Sequence, residues 1–192
     1  MGYRVGYFVG SLSSTSINRT LSTALIALAP DDLEFFEIPI KDLPLYSQDY
    51  DDSYPPVALA LKEAIDSADA VLFVTPEYNR SIPGGLKNAI DWASRPWGQN
   101  SFDHIPAAVI GASVGAIGTA VAQQSLRGVL SFCNARQMTA PEAYIQFRPE
   151  HYSDDGTVSH PDTADFLRGY MAEFRDHIER VLTVLPRDTP DS

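Results

Sequence analysis

Tyr3-Arg4-Val5-Gly6-Tyr7-Phe8-Val9-Gly10-Ser11-Leu12-Ser13-Ser14-Thr15-Ser16-Ile17-Asn18-Arg19 stands at the head of the chain and decides its fold. The apolar run from Tyr3 to Val9 reads as a buried parallel strand. Ile17, Leu21, Leu25 and Leu28 recur at spacings of four, four and three, the period of a helix with one apolar face. Between strand and helix lies a short loop rich in hydroxyls. An anion fits such a place, because free backbone N–H groups and the positive end of the helix dipole point into it. Ser11, Ser13, Ser14, Thr15, Ser16 and the Asn18 amide add further donors. A helix cap alone needs one hydroxyl, and this loop carries five. On the loop alone, cap and phosphate cradle both stand. Neither nucleotide fingerprint is present: a G-x-G-x-x-G needs glycine where Leu12 and Thr15 stand, and a P-loop needs Gly-Lys at 15 and 16.

The same alternation continues outward. Strand-like runs cover Leu33 to Ile38, Ala70 to Thr75, Ala107 to Ala112 and Arg136 to Thr139, the last with Ala143 to Phe147 as an extension. Helical patterns lie between them. Pro56 starts one with Val57, Leu61, Ala64, Ile65 and Ala68 inward, and another takes Leu86, Ala89, Ile90 and Ala93. A third carries Val121, Leu126, Val129, Leu130 and Cys133. The final helix reads Phe166, Leu167, Tyr170, Phe174, Ile178, Val181, Leu182 and Leu185. Residues 39–56, rich in Pro, Asp and Tyr, read as a long surface loop, either functional or simply solvated and acidic. The polar end after Pro186 reads as a frayed tail.

Alternation of this kind means a parallel sheet covered on both faces. The expected architecture is one flavodoxin-like α/β domain over residues 1–192, a three-layer sandwich. Its five strands take the order 2-1-3-4-5, with the ligand at the carboxyl ends of strands one, three and four. Those three ends carry the unusual loops.

Composition narrows the partners. The chain has 192 residues and a formal net charge of -11, which disfavours nucleic acid and anionic membranes. A single cysteine, Cys133, excludes an internal disulfide and a cysteine-rich metal site. No signal-like N-terminus and no apolar run of membrane-spanning length stand in the sequence, so a cytoplasmic location is expected.

The loops after strands three and four are poor in acid–base groups. Glycines at 111, 115 and 118 let backbone approach a flat ligand closely, and Tyr78 is placed to lie beside a ring. Glu77 has no second carboxylate nearby, so hydrogen bonding within its own loop is its expected task. The histidines His104, His151, His160 and His177 fall outside these loops, and no pair has metal-ligand spacing. Trp92 and Trp97 read as core packing. Cys133 reads as a small buried hydrophobe. A cradle, close backbone and no side-chain catalyst suggest a cofactor that brings its own chemistry.

Three segments resemble the NADPH-dependent FMN reductase family, the small flavodoxin-like quinone, azo-dye and chromate reductases. They are Gly10-Ser11-Leu12 through Ser16, Asn18, Arg19 and Leu21; Thr75-Pro76-Glu77-Tyr78-Asn79 with Pro83, Leu86-Lys87-Asn88-Ala89-Ile90-Asp91-Trp92 and Ser94-Arg95; and Gly115, Gly118-Thr119, Ala122-Gln123 and Leu126-Arg127. Ser13 and Val121 depart from the pattern, since Arg is common at both positions.

The resemblance implies FMN, held at Ser11, Ser16, Ile17 and Asn18 by its phosphate and at Pro76, Glu77, Tyr78, Asn79, Ser113, Gly115 and Gly118 around its ring. It implies no catalytic side chain and no metal. NADPH or NADH would give hydride to the flavin. A small-molecule acceptor (a quinone, azo compound, free flavin or oxidised metal ion) would then take it. It implies a homodimer or homotetramer, with the helix from Leu86 to Ser94 as assembly element and Lys87 paired with Asp91 on it or across the interface. A flavodoxin-type electron carrier, which would bind FMN and refuse hydride from a nicotinamide, is the alternative.

Overall fold

The computed structural model describes residues 2–187. Six strands form one parallel sheet: β1 (Tyr3–Val9), β2 (Leu33–Glu37), β3 (Ala70–Val74), β4 (Pro106–Ser113), β5 (Arg136–Gln137) and β6 (Tyr144–Gln146). Their order is β2-β1-β3-β4-β5, with β6 also paired to β4. This is the flavodoxin-like order expected from the strand–helix alternation. Among the described residues four α-helices connect the strands, α1 (Ile17–Ala27), α2 (Pro56–Asp66), α3 (Gly84–Ala93) and α4 (Ala120–Phe132), and α5 (Pro161–Val184) follows β6.

β3 is buried along its whole length because the sheet is covered on both faces. Val71 and Phe73 join one core with Phe8, α2, α3 and α4. Ala70, Leu72 and Val74 join the other with Val5, α1 and α5. The period of two along the strand thus splits its side chains between the two helical layers.

The fifth strand differs from its expected form. It is two short pieces, β5 against Pro106–Ala107 and β6 against Gly111–Ser113. Pro141 lies between them and offers no N–H to a ladder, so the chain leaves the sheet there and returns. Helices α3 and α5 begin earlier than their apolar patterns: Gly84 follows Pro83, and Pro161 occupies the first turn of α5.

Residues 39–56 are not a free acidic loop. They wrap over α3, where the Asn88 amide donates to Pro44 O at 2.9 Å and accepts from Tyr46 N at 2.9 Å. Trp92 Nε1 donates to the same Pro44 carbonyl at 2.7 Å, and the Tyr54 hydroxyl donates to Trp92 O. Tyr46 and Tyr54 meet the buried Trp92 ring edge-on. Lys62 closes the C-terminal end of α3, with Nζ donating to the carbonyls of Ala93, Arg95 and Gln99. Trp97, in contrast to Trp92, lies on the surface against Phe132 and Arg95. At the chain end, Arg187 donates to Asp103 O and is tied down; the remainder of the expected tail lies outside the described residues.

Candidate functional site

The loops after β1, β3 and β4 meet at the carboxyl edge of the sheet. Between the second and third lies an open cleft of about 600 Å³, lined by Glu77, Asn79, Arg80, Ser113 and the run from Val114 to Gly118.

The first loop joins β1 to α1. Ser16 is the N-cap of α1, its hydroxyl accepting from Arg19 N at 3.4 Å. The N–H groups of Ile17 and Asn18, in the first turn, have no acceptor inside the helix. Ser11 is buried at the end of β1, its hydroxyl 3.5 Å from that of Tyr78 and accepting from Ser13 N. The Asn18 side chain is engaged elsewhere. Its amide donates to Ala112 O at 3.0 Å and accepts from Ala112 N at 2.8 Å, stapling α1 to β4. What Asn18 offers an anion is its backbone N–H. Arg19 also turns away, gripping Glu37 with two bonds of 2.8 Å. That guanidinium, as hydrogen-bond donor, holds the Glu37 carboxyl below its ordinary pKa.

The second loop is a two-residue hairpin. Tyr78 and Ser81 exchange both backbone bonds at 3.0 Å, with Asn79 at φ +52° and Arg80 at φ +62° between them. Two left-handed residues make the mirror-image turn that suits such hairpins. Asn tolerates that region, whereas Arg adopts it at a cost of order 1 kcal/mol.

Glu77 anchors the hairpin to the third loop. Oε2 accepts the N–H groups of Val121 and Ala122, both at 3.0 Å, and Oε1 accepts from Arg80 at 2.8 Å. Burial alone would raise its pKa. The Ala122 N–H, the Arg80 guanidinium and the Val121 N–H outweigh it, and the carboxyl sits below its ordinary value. Glu77 is therefore a fixed anion capping α4 rather than a proton donor.

The third loop has little room for side chains. A Cβ on Gly118, at φ +57°, would lie 2.6 Å from Tyr144 C, and one on Gly111 would lie 2.0 Å from Thr75 O. Ser113 Oγ accepts from Gly115 N at 3.0 Å and shapes the bend. Ser113, Gly115, Ala116 and Gly118 line the cleft beside the exposed Val114 and Ile117.

Of the expected ring-site residues, Glu77, Asn79, Ser113, Gly115 and Gly118 line the cleft; Pro76 and Tyr78 are not in its lining, and Tyr78 instead reaches Ser11. The structure places the histidines elsewhere: none lines the cleft among the described residues. His104 and His177 bind Arg136, and His151 stacks on His160. Cys133 is buried, which pushes its thiol pKa up. Lys87 pairs with Asp91 on its own helix at 2.7 Å. Arg80 was not legible as a cleft residue, because its left-handed turn leaves no mark in composition or period. The long-range reach of Glu77 to α4 was equally hidden.

The sequence profile of the NADPH-dependent FMN reductase family matches residues 3–150. A 2-hydroxy-1,4-benzoquinone reductase from Burkholderia sp is 49% identical over 174 residues, 91% of this chain and 95% of that protein. A quinone reductase from Pseudomonas putida is 43% identical over 178 residues, 92% of this chain and 95% of that protein. Among solved structures, the flavoenzyme NAD(P)H:(acceptor) oxidoreductase FerB from Paracoccus denitrificans superimposes with a TM-score of 0.90 at 49% identity. That match covers 93% of this chain and 98% of FerB. Fold and site define a flavin-dependent oxidoreductase. The chain belongs to the NADPH-dependent FMN reductase family.

Proposed function

We propose that this FMN-dependent NAD(P)H oxidoreductase reduces quinones at the cleft between the hairpin and the Gly115–Gly118 turn. The observation that carries the site is the tying of all three loops to one another, by Ser11 to Tyr78 and by Glu77 to α4. The residues fit FMN. Neutral donors at the start of α1 suit a terminal phosphate, and the glycine-lined cleft suits a flat ring approached by backbone. FMN, when bound, supplies the hydride chemistry, and the sum over the reaction is NAD(P)H, a proton and a quinone giving NAD(P)⁺ and a quinol.

The chain holds and orients. Ser11, Ser16 and the N–H groups of Ile17 and Asn18 take the phosphate; Pro76, Tyr78, Asn79, Ser113, Gly115 and Gly118 form the walls of the ring site. Glu77 fixes those walls. Fixed N–H dipoles there favour a reduced, anionic ring. Quinones are the favoured acceptors because relatives 49% and 43% identical to this chain are named as quinone reductases. Exposed Val114, Ile117 and Val121 leave an apolar rim for a second copy to cover, which supports a homodimer or homotetramer, and sedimentation would measure it. No helix among the described residues is long and apolar enough to cross a membrane.

Steady-state assays of the FMN-loaded protein with NADPH or NADH and 1,4-benzoquinone test this reading. One quinol per nucleotide oxidised supports it. Nucleotide oxidation by dioxygen alone, with no quinol, would overturn the acceptor class.

A further inference from the structure

We propose that Arg80 reads the charge of the acceptor, so that the cleft favours quinones bearing an ionised ring oxygen over neutral ones. This rests on the quinone-reductase reading above. The chain carries a formal net charge of -11, yet the charge at its cleft runs the other way. Among the described residues that line the cleft, Arg80 is the one cation and Glu77 the one anion. Glu77 is largely neutralised: its side chain is 7% exposed, one oxygen is held by two N–H groups of α4, and the other takes one Arg80 nitrogen. The N-terminus of α4 adds about half a positive charge at the same spot. The local sum is positive.

Arg80 is also available. Its side chain is 68% exposed and spends one N–H on Glu77, leaving other donors of the guanidinium fork free. Its backbone is held at φ +62° by the hairpin, which fixes where the side chain leaves the turn. Val114, Ala116 and Ile117 on the opposite wall bring no competing charge. A hydroxyl on a quinone ring is a vinylogous acid, ionised at neutral pH, and its anionic oxygen lies coplanar with the adjacent ring carbonyl oxygen. A guanidinium can donate N–H groups to that oxygen pair and pair with its charge.

The test compares 2-hydroxy-1,4-benzoquinone with 1,4-benzoquinone as acceptors for FMN-loaded wild type, Arg80→Gly and Arg80→Lys. Glycine accepts the positive φ and removes the charge; lysine restores the charge. The ratio of kcat/KM for the hydroxyquinone to that for benzoquinone is expected to fall about tenfold in Arg80→Gly and to recover largely in Arg80→Lys. Added sodium chloride should lower the ratio in wild type and leave it flat in Arg80→Gly. An unchanged ratio would overturn the proposal. So would equal slowing of both quinones with a shifted potential of bound FMN, which would mean that the charge serves the cofactor. Failure of wild type to reduce either quinone would overturn the quinone reading itself, a result distinct from an unchanged ratio.

Discussion

The Glu77 carboxylate accepts the backbone N–H of Ala122 at 3.0 Å, joining a residue at the end of β3 to the first turn of the helix that follows β4. With the Val121 N–H on the same oxygen and Arg80 on the other, one buried side chain fixes both walls of the cleft. Glu77→Ala is expected to lower stability by about 2 kcal/mol in urea unfolding, the cost of orphaning charge-assisted hydrogen bonds. Its pKa is lowered from 4.5 in the folded protein. The contribution is complete above that ordinary value and fades as pH falls through the lower one. The stability gap between wild type and Glu77→Gln should therefore narrow in acid.

In the proposed site Ser11 and Ser16 hold the phosphate with no help from position 13, which is serine, or from Arg19, which is gripped by Glu37. The double variant Ser11→Ala, Ser16→Ala is expected to weaken FMN binding by about tenfold or more while leaving riboflavin binding nearly unchanged. Fluorescence titration of the apoprotein measures both. Equal loss for the two flavins would move the phosphate away from α1.

Asn88 holds the 39–56 loop with two bonds of 2.9 Å. Asn88→Ala should cost about 2 kcal/mol and speed tryptic cleavage after Lys41, which lies in that loop. Cleavage at the wild-type rate would mean that Trp92 alone suffices as the anchor.

Gly111→Ala places a methyl 2.0 Å from the Thr75 carbonyl on the neighbouring strand. Two rigid backbones must part, so a loss of about 3 kcal/mol is expected. Gly115→Ala, whose Cβ would lie 3.4 Å from Ser113 Oγ, should be far milder. Thermal unfolding of the two variants side by side makes the comparison.

The fold was legible because period and alternation report burial directly. The apolar run of Ala70 to Thr75 read as a central strand, and the spacing of Ile17, Leu21 and Leu25 as a helix with one face inward. The fifth strand was blurred because Pro141 divides it, and two- and three-residue strands carry no period. In the site, hydroxyls and glycines announced themselves by composition. The tasks of Asn18, Glu77 and Asn88 did not. Each bonds across 42 or more positions of sequence, to Ala112, Ala122 and Tyr46. Such contacts exist only once the sheet has assembled, and local pattern cannot hold them. Trp92 and Trp97 show the same limit: five positions apart, one is core and the other surface.

The most direct measurement is an anaerobic titration of the FMN-loaded protein with NADPH and NADH, followed by one equivalent of 1,4-benzoquinone. The account predicts that at least one nucleotide bleaches the visible flavin absorbance and that the quinone restores it. A flavin bound at this site that neither nucleotide bleaches would contradict the account and describe an electron carrier instead.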